Sequence, residues 1–336
     1  MNDRGVNAYS SANEVLASVH ASLKSLFDGV PIQMGITELT ADQDMLLVSV
    51  NPAGAAFLGK TTAELQGKRI SELGLEGPGA GVWLPQYLQA LHSGEPVNFE
   101  AASGMPGSDS WMDVTLAHIG PGPSGQPRFS WIAQDVSARK REERTQDALY
   151  QISEAARAEG NLLELFRTIH GIIGGLLPAK NFFVVLVDKA SNQLSFPYYV
   201  DEFDPPPAPR PLDDGTLSGR VIALGQSLLL TPETLKGIHE EDRVVGTPSL
   251  DWLGVPLKTK AGTLGALVVQ SYDGDVRYLE KDKTLLEFVS GQVAAAIERK
   301  QAEEALRLGE RRLEEAQRLA HLGSWNWDGA SKTLTW

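Results

Sequence analysis

Cysteine is absent from all 336 residues, which removes disulfides, thiolate metal sites, thiol nucleophiles and thioether-linked cofactors at a stroke. The remaining chemistry must come from six histidines, 43 carboxylates and 30 basic side chains. No glycine-rich phosphate cradle with its lysine, no asparagine-rich ATP box and no Ser-His-Asp arrangement occurs, and Gly215 and Gly219 fit a turn and close packing. His239 lies in Ile238-His-Glu-Glu-Asp, the His-Glu pair of some phosphoacceptor helices, but the flanking Gly237 and Gly246 predict a loop or short surface helix. The basic groups Arg139, Lys140, Arg141, Arg144 and Arg307, Arg311, Arg312 are interleaved with Glu142, Glu143, Glu310, Glu314 and Glu315, the pattern of solvated helix faces. We therefore expect no catalytic residue and no metal site.

The formal charge of −13 repels phosphate backbones and anionic lipid, so nucleic acid is not an expected partner. No apolar run approaches the roughly 20 residues of a membrane span, and the first residues lack the charged and apolar regions of a signal peptide. Both point to a cytoplasmic chain.

The elements that must carry any site follow from periodicity. Val15, Leu16, Val19, Leu23 and Leu26 recur at helical spacing and predict an amphipathic helix that packs on the first domain or on a partner helix. Strand-like runs follow at 32–38 and 45–50, then Asn51-Pro52 admits a short helix ending near Gly59, with Thr61 or Thr62 capping the next. A helix with Trp83, Tyr87, Leu88 and Leu91 ends at Gly94, and strands follow at 97–102, 110–119 and 128–136. This order predicts an α+β domain with one antiparallel sheet. Four segments, Leu26-Phe-Asp-Gly-Val-Pro, Val50-Asn-Pro-Ala-Gly-Ala-Ala-Phe-Leu-Gly-Lys, Ser93-Gly-Glu-Pro-Val and Trp131-Ile-Ala-Gln-Asp-Val-Ser-Ala-Arg-Lys, resemble the PAS family in its order. The resemblance implies a pocket, for which Trp83, Tyr87, Trp111 and Trp131 are candidate lining residues alongside ordinary core packing. It also implies a signal relay at Asp135, Ser137 and Arg139, where the last strand passes into a helix; the plainer role for Asp135 is a helix cap.

A second helical stripe runs through Leu149, Ile152, Ala156, Leu162, Phe166, Ile169, Ile173 and Leu176. Strands at 182–187 and 193–199 precede the loop Asp204-Pro-Pro-Pro-Ala-Pro-Arg-Pro, read as a stiff pocket-side loop. Gly254-Val-Pro-Leu, Leu264-Gly-Ala-Leu-Val-Val-Gln-Ser-Tyr and Tyr278-Leu-Glu-Lys-Asp-Lys-Thr-Leu-Leu resemble the GAF family. The fold class is thus α+β, with two antiparallel-sheet sensor domains, PAS-like then GAF-like, linked by long signalling or coiled-coil helices.

Past the second domain, Ala302, Leu306, Gly309, Leu313, Ala316 and Ala320 keep a heptad seam, out of phase with Val289, Val293 and Ala296, which predicts a stutter near Arg299. A continuous helix over 281–321 would be about 60 Å long and would need a partner, so parallel homodimerisation through the linker helices is expected. Glu304-Ala305-Leu306 spells the name of a cyclic-dinucleotide phosphodiesterase family but lies inside this helix. His321-Leu-Gly-Ser-Trp-Asn-Trp-Asp with Leu334-Thr-Trp resembles the opening strands of a second PAS domain, cut short. The expected map is an N-terminal helix at 1–26, PAS domain at 27–137, linker helix at 138–148, GAF domain at 149–298, coiled coil at 299–320 and the second PAS start at 321–336.

Both resemblances speak to cofactors. Counting back from Ser93 to the position of the axial ligand in haem-binding PAS sensors reaches Trp83, not His92, which argues against haem. The absent cysteine argues against cysteine-linked flavin, bilin attachment and thiol-based sulfoxide reduction. In the cyclic-nucleotide motif of some GAF domains, Asp282 matches, but Lys283 replaces Glu and Ser271-Tyr272 replace Asn-Lys. No cofactor is identified; a small-molecule ligand in either cavity is the expected partner, with an output domain downstream in cis. The implied function is the sensory input region of a two-component sensor histidine kinase. The alternatives are a diguanylate cyclase or cyclic-dinucleotide phosphodiesterase sensor, and a non-enzymatic dimeric scaffold.

Overall fold

Alternating burial along 33–50 sets the first sheet. In the computed structural model, which describes residues 3–74, 80–103, 110–158, 160–188, 190–234, 246–320 and 325–335, helix α1 (Asp3–Gly29) leads into strands β1 (Gln33–Leu39) and β2 (Met45–Val50). Their turn closes where Thr40 N–H donates to Asp44 O at 2.8 Å, with Gln43 in the left-handed region at φ 65°. α2 (Pro52–Phe57), α3 (Thr62–Leu65), a 3₁₀ turn (Ser71–Leu73) and α4 (Ala80–Ser93) then cover one face of the sheet, which β3 (Val97–Ala102), β4 (Trp111–Pro121) and β5 (Pro127–Asp135) complete. The order is β2-β1-β5-β4-β3, antiparallel throughout.

Two polar residues fix this path. Fully buried Asn51 accepts from the N–H groups of Gly54 (2.9 Å) and Met34 (3.0 Å) and donates to Ile32 O (2.8 Å) and Phe27 O (3.1 Å). All four bonds of its amide are made, so one side chain ties the end of α1, the start of β1 and the cap of α2. Thr61 caps α3 in a full capping box with Glu64. The apolar stripe of α1 is different: Val15, Leu16, Val19, Leu23 and Leu26 are 50–70 % exposed, so it does not pack on the first domain as one of the two expectations had it.

The chain divides into two compact units at Glu142–Glu143, inside α5 (Ser137–Ala158). In the second unit, the expected single stripe over 149–176 is two helices. Gly160-Asn161 interrupts it, and Asn161 caps α6 (Leu162–Gly174) by accepting Glu164 N–H at 3.0 Å. There follow β6 (Asn181–Asp188), β7 (Gln193–Val200), the two-residue β8 (Arg210–Pro211), α7 (Leu217–Leu224), β9 (Leu228–Leu230), β10 (Asp251–Thr259), β11 (Gly262–Ser271) and α8 (Glu280–Leu319), then a hairpin of β12 (Asn326–Asp328) and β13 (Thr333–Thr335).

The six-stranded sheet has the order β8-β7-β6-β11-β10-β9. Its central strands β6, β10 and β11 are buried on both faces, which is why β6 and β11 read as nearly unbroken apolar runs. Phe182, Val184, Leu186, Val255, Leu267 and Val269 face α5, α6 and α8. Phe183, Val185, Ala266, Val268 and Trp252 face α7. That period-two division gives the domain two cores and leaves the α7 face free to carry a site.

Candidate ligand cavities and the helix junctions

In the first unit, Trp83, Tyr87 and Trp131 line a cavity of about 120 Å³ between the sheet and its helices. Tyr87 and Thr37 hydroxyls bond each other at 2.9 Å, and burial pushes the Tyr87 phenol up to about 12, so the pair is neutral. The other lining atoms are mainly apolar. Trp111 is not there. On β4 the alternation points Met112 and Val114 into the core and turns Trp111 to the other face, where Lys140 Nζ sits 5.6 Å over its ring. His92 is exposed at the end of α4, its Nδ1 2.7 Å from Leu88 O.

Asp135, Ser137 and Arg139 do meet at one junction. Asp135 Oδ1 accepts from Ser137 N–H (2.8 Å) and Oγ–H (2.5 Å), while Ser137 Oγ accepts from Trp111 N–H (2.8 Å). The Ser137 hydroxyl and N–H hold the Asp135 carboxyl below its usual range. Arg139 and Lys140 both pair with Glu100 of β3. The first turn of α5 is thereby tied to β3 through Glu100, to β4 through Trp111 and to β5 through Asp135.

A cavity of about 220 Å³ in the second unit lies on the α7 face. Phe183, Phe196, Tyr199 and Trp252 form its aromatic wall. Asp204, Pro205, Pro207 and Arg210 of the proline-rich loop form its rim, and Thr216, Ser218 and Gln270 supply amide and hydroxyl groups. Trp252 lies flat along its strand because Gly254 has no side chain: a Cβ there would stand 2.3 Å from the indole Cη2. Burial, then Asp201 and Asp204, push the Tyr199 phenol up to about 12, leaving it a neutral donor. Asp204 is engaged by Thr247 N–H (2.7 Å) and hydroxyl (3.2 Å). The proline-rich loop read from sequence as pocket-side forms this rim, whereas no aromatic of the wall is named from sequence as a site residue. The usable signals were Arg210 held between two prolines and Trp252 two residues before Gly254.

α8 joins this domain through a charged knot. Fully buried Asp251 accepts from Arg277 Nε (2.9 Å) and Tyr278 N–H (2.6 Å), and Arg277 also reaches Glu233 at 2.8 Å. Tyr278, the residue aligned with the nucleotide motif, is buried and donates to Pro178 O at 2.8 Å; it does not line the aromatic cavity. Val289, Val293 and Ala296 are buried in their own domain's core, whereas Ala302, Leu306, Leu313, Ala316 and Ala320 are exposed, Leu306 and Leu313 by 65 % and 60 %. The phase change near Arg299 therefore separates a core-facing half of the helix from an uncovered half. His239 and His321 lie outside the described residues. Among the described residues no helix is long and apolar enough to cross a membrane.

The family model for the PAS fold matches residues 31–141, and that for the GAF domain matches residues 160–298. No curated protein matches the chain. Among solved structures, the GAF domain of an Acinetobacter phosphoenolpyruvate-protein phosphotransferase is 18% identical, covering 48% of this chain and 97% of its own, with a TM-score of 0.40. Free methionine-R-sulfoxide reductase from Neisseria meningitidis, in complex with its substrate, is 16% identical over 47% of this chain and 91% of its own, at 0.39. The photosensory core module of Stigmatella aurantiaca phytochrome is 15% identical over 84% of this chain and 60% of its own, at 0.38. Likenesses of this strength carry no inference about ligand or activity. With the family matches laid on two units of the corresponding architecture, the chain is a PAS–GAF sensory region, a signal-sensing input.

Proposed function

We propose that this region belongs to a cytoplasmic two-component protein of the sensor histidine kinase type, and that a small molecule in the GAF cavity biases the pairing of α8 between two copies of the chain. The observation that carries the reading is the cavity on the α7 face: an aromatic wall with Arg210, Thr216, Ser218 and Gln270 converging on it, the usual composition of a small-molecule site. The PAS cavity is smaller, and its Thr37 and Tyr87 hydroxyls already satisfy each other.

The uncovered seam of α8 supports the dimer, since apolar heptad positions are stable in water only against a partner helix. A ligand shifts such an equilibrium only by binding one packing more tightly than the other. Native mass spectrometry of the purified full chain tests both halves. A dimer retaining one small molecule per protomer supports the reading; a ligand-free monomer at micromolar concentration overturns it. Sequencing the gene beyond residue 336 tests the kinase: a phosphoacceptor-helix and ATP-binding domain supports it, a cyclase or phosphodiesterase domain overturns it.

A further inference from the structure

We infer that the GAF cavity takes a single-ring aromatic anion, with the ring against the Trp252 and Phe183 wall and the carboxylate on Arg210; this rests on the cavity being the ligand site. Arg210 Nε is sealed from solvent and has no hydrogen-bond partner, an expensive state for a charged group. Its nearest acid, Asp214, makes only a loose ion pair, with Oδ2 at 3.7 Å from Nε, beyond hydrogen-bond reach. The carboxylate of the lining, Asp204, is held by Thr247. Arg210 lines the cavity with its side chain 22 % exposed, and a planar anion there would give its guanidinium a charged acceptor.

Three further observations fix the class. Arg210 lies 5.6 Å over the Phe196 ring, so the aromatic wall already holds its cation, and a second one would meet like charge. The N-terminal turn of α7 places Thr216, Leu217 and Ser218 in the wall, and the partial positive charge of a helix N-terminus favours an anion. The cavity of about 220 Å³ falls below the ~300–1,000 Å³ of drug-sized sites, which suits one ring rather than a nucleotide.

The test is isothermal titration calorimetry on the full chain with benzoate, phenylacetate, benzamide and choline as probes. Benzoate or phenylacetate is expected to bind at least tenfold more tightly than benzamide. Arg210→Gln should remove that preference, and Arg210→Lys should retain part of it. Equal binding of benzoate and benzamide, unchanged in Arg210→Gln, overturns the anion while leaving the cavity as the ligand site. A preference for choline overturns it likewise. Aromatic binding lost in Tyr87→Phe but kept in Trp252→Ala places the ring in the PAS cavity, and absence of binding by any probe at millimolar concentration removes the ring; both overturn the inference. Should Arg210→Gln fail to fold, the benzoate-to-benzamide ratio on the unaltered chain decides.

Discussion

Gly35 and Trp131 are register partners on β1 and β5, and the indole of Trp131 occupies the space a side chain at 35 would need. A Cβ on Gly35 would stand 2.4 Å from Trp131 Cζ2 and 2.7 Å from Ser49 O. Gly254 and Trp252 repeat the device in the second domain. In each, a glycine lets a tryptophan lie flat against the sheet and so shapes the wall of a cavity.

Gly35→Ala is therefore expected to destabilise the PAS domain by about 1–3 kcal/mol through overpacking. Chemical denaturation of the single variant and of Gly35→Ala with Trp131→Phe checks the cause: the smaller ring should recover part of the loss, and no recovery would place the strain at Ser49 O instead.

Gly254→Ala should act on the other cavity, tilting Trp252 into it. Calorimetry should show a weaker affinity for benzoate, with Trp252→Phe in the same chain restoring it.

Asp251→Ala leaves the buried Tyr278 N–H without an acceptor, at a cost of about 1–3 kcal/mol, while Arg277 keeps Glu233. Hydrogen exchange should rise at the start of α8 before it rises in β6; uniform change across the domain would deny Asp251 a local role.

Glu38 supplies a pH signature. Its carboxylate, buried in β1, accepts from Ser124 and from Arg128 Nε at 2.9 Å. Those bonds, Ser124 first, hold its pKa below the ordinary 4.5. A carboxyl with a lower pKa folded than unfolded adds stability above its unfolded value and loses it as pH falls through the folded one. The stability gap between the unaltered chain and Glu38→Gln should be full at neutral pH and close as pH drops below 4.5. A gap independent of pH from 7 to below 4 would contradict this.

The fold was legible where local chemistry is strong. Asn51-Pro52, Thr61 with Glu64, and the apolar runs of β6 and β11 each announce their element, because caps and alternation depend on near neighbours. The site was less legible. Trp111 looked equivalent to Trp131, but strand alternation sends them to opposite faces, and only the register of β4 on β5 decides which faces the cavity. Arg210 reaches the aromatic wall through a two-residue strand pairing with Leu194, a long-range contact that no local pattern encodes. Gly160-Asn161 keeps the helical spacing of the stripe over 149–176 while breaking the helix, so periodicity alone runs α5 into α6.

The proposed relay requires that the uncovered half of α8 pair with its copy in a second chain and respond to the cavity. Since the chain has no cysteine, Glu310→Cys offers a single spin-label site on that half. Double electron–electron resonance should give one short intersubunit distance, consistent with helices about 8–10 Å apart, and saturating benzoate should shift it. Absence of any intersubunit distance, or a distance unmoved by bound benzoate, would contradict the relay.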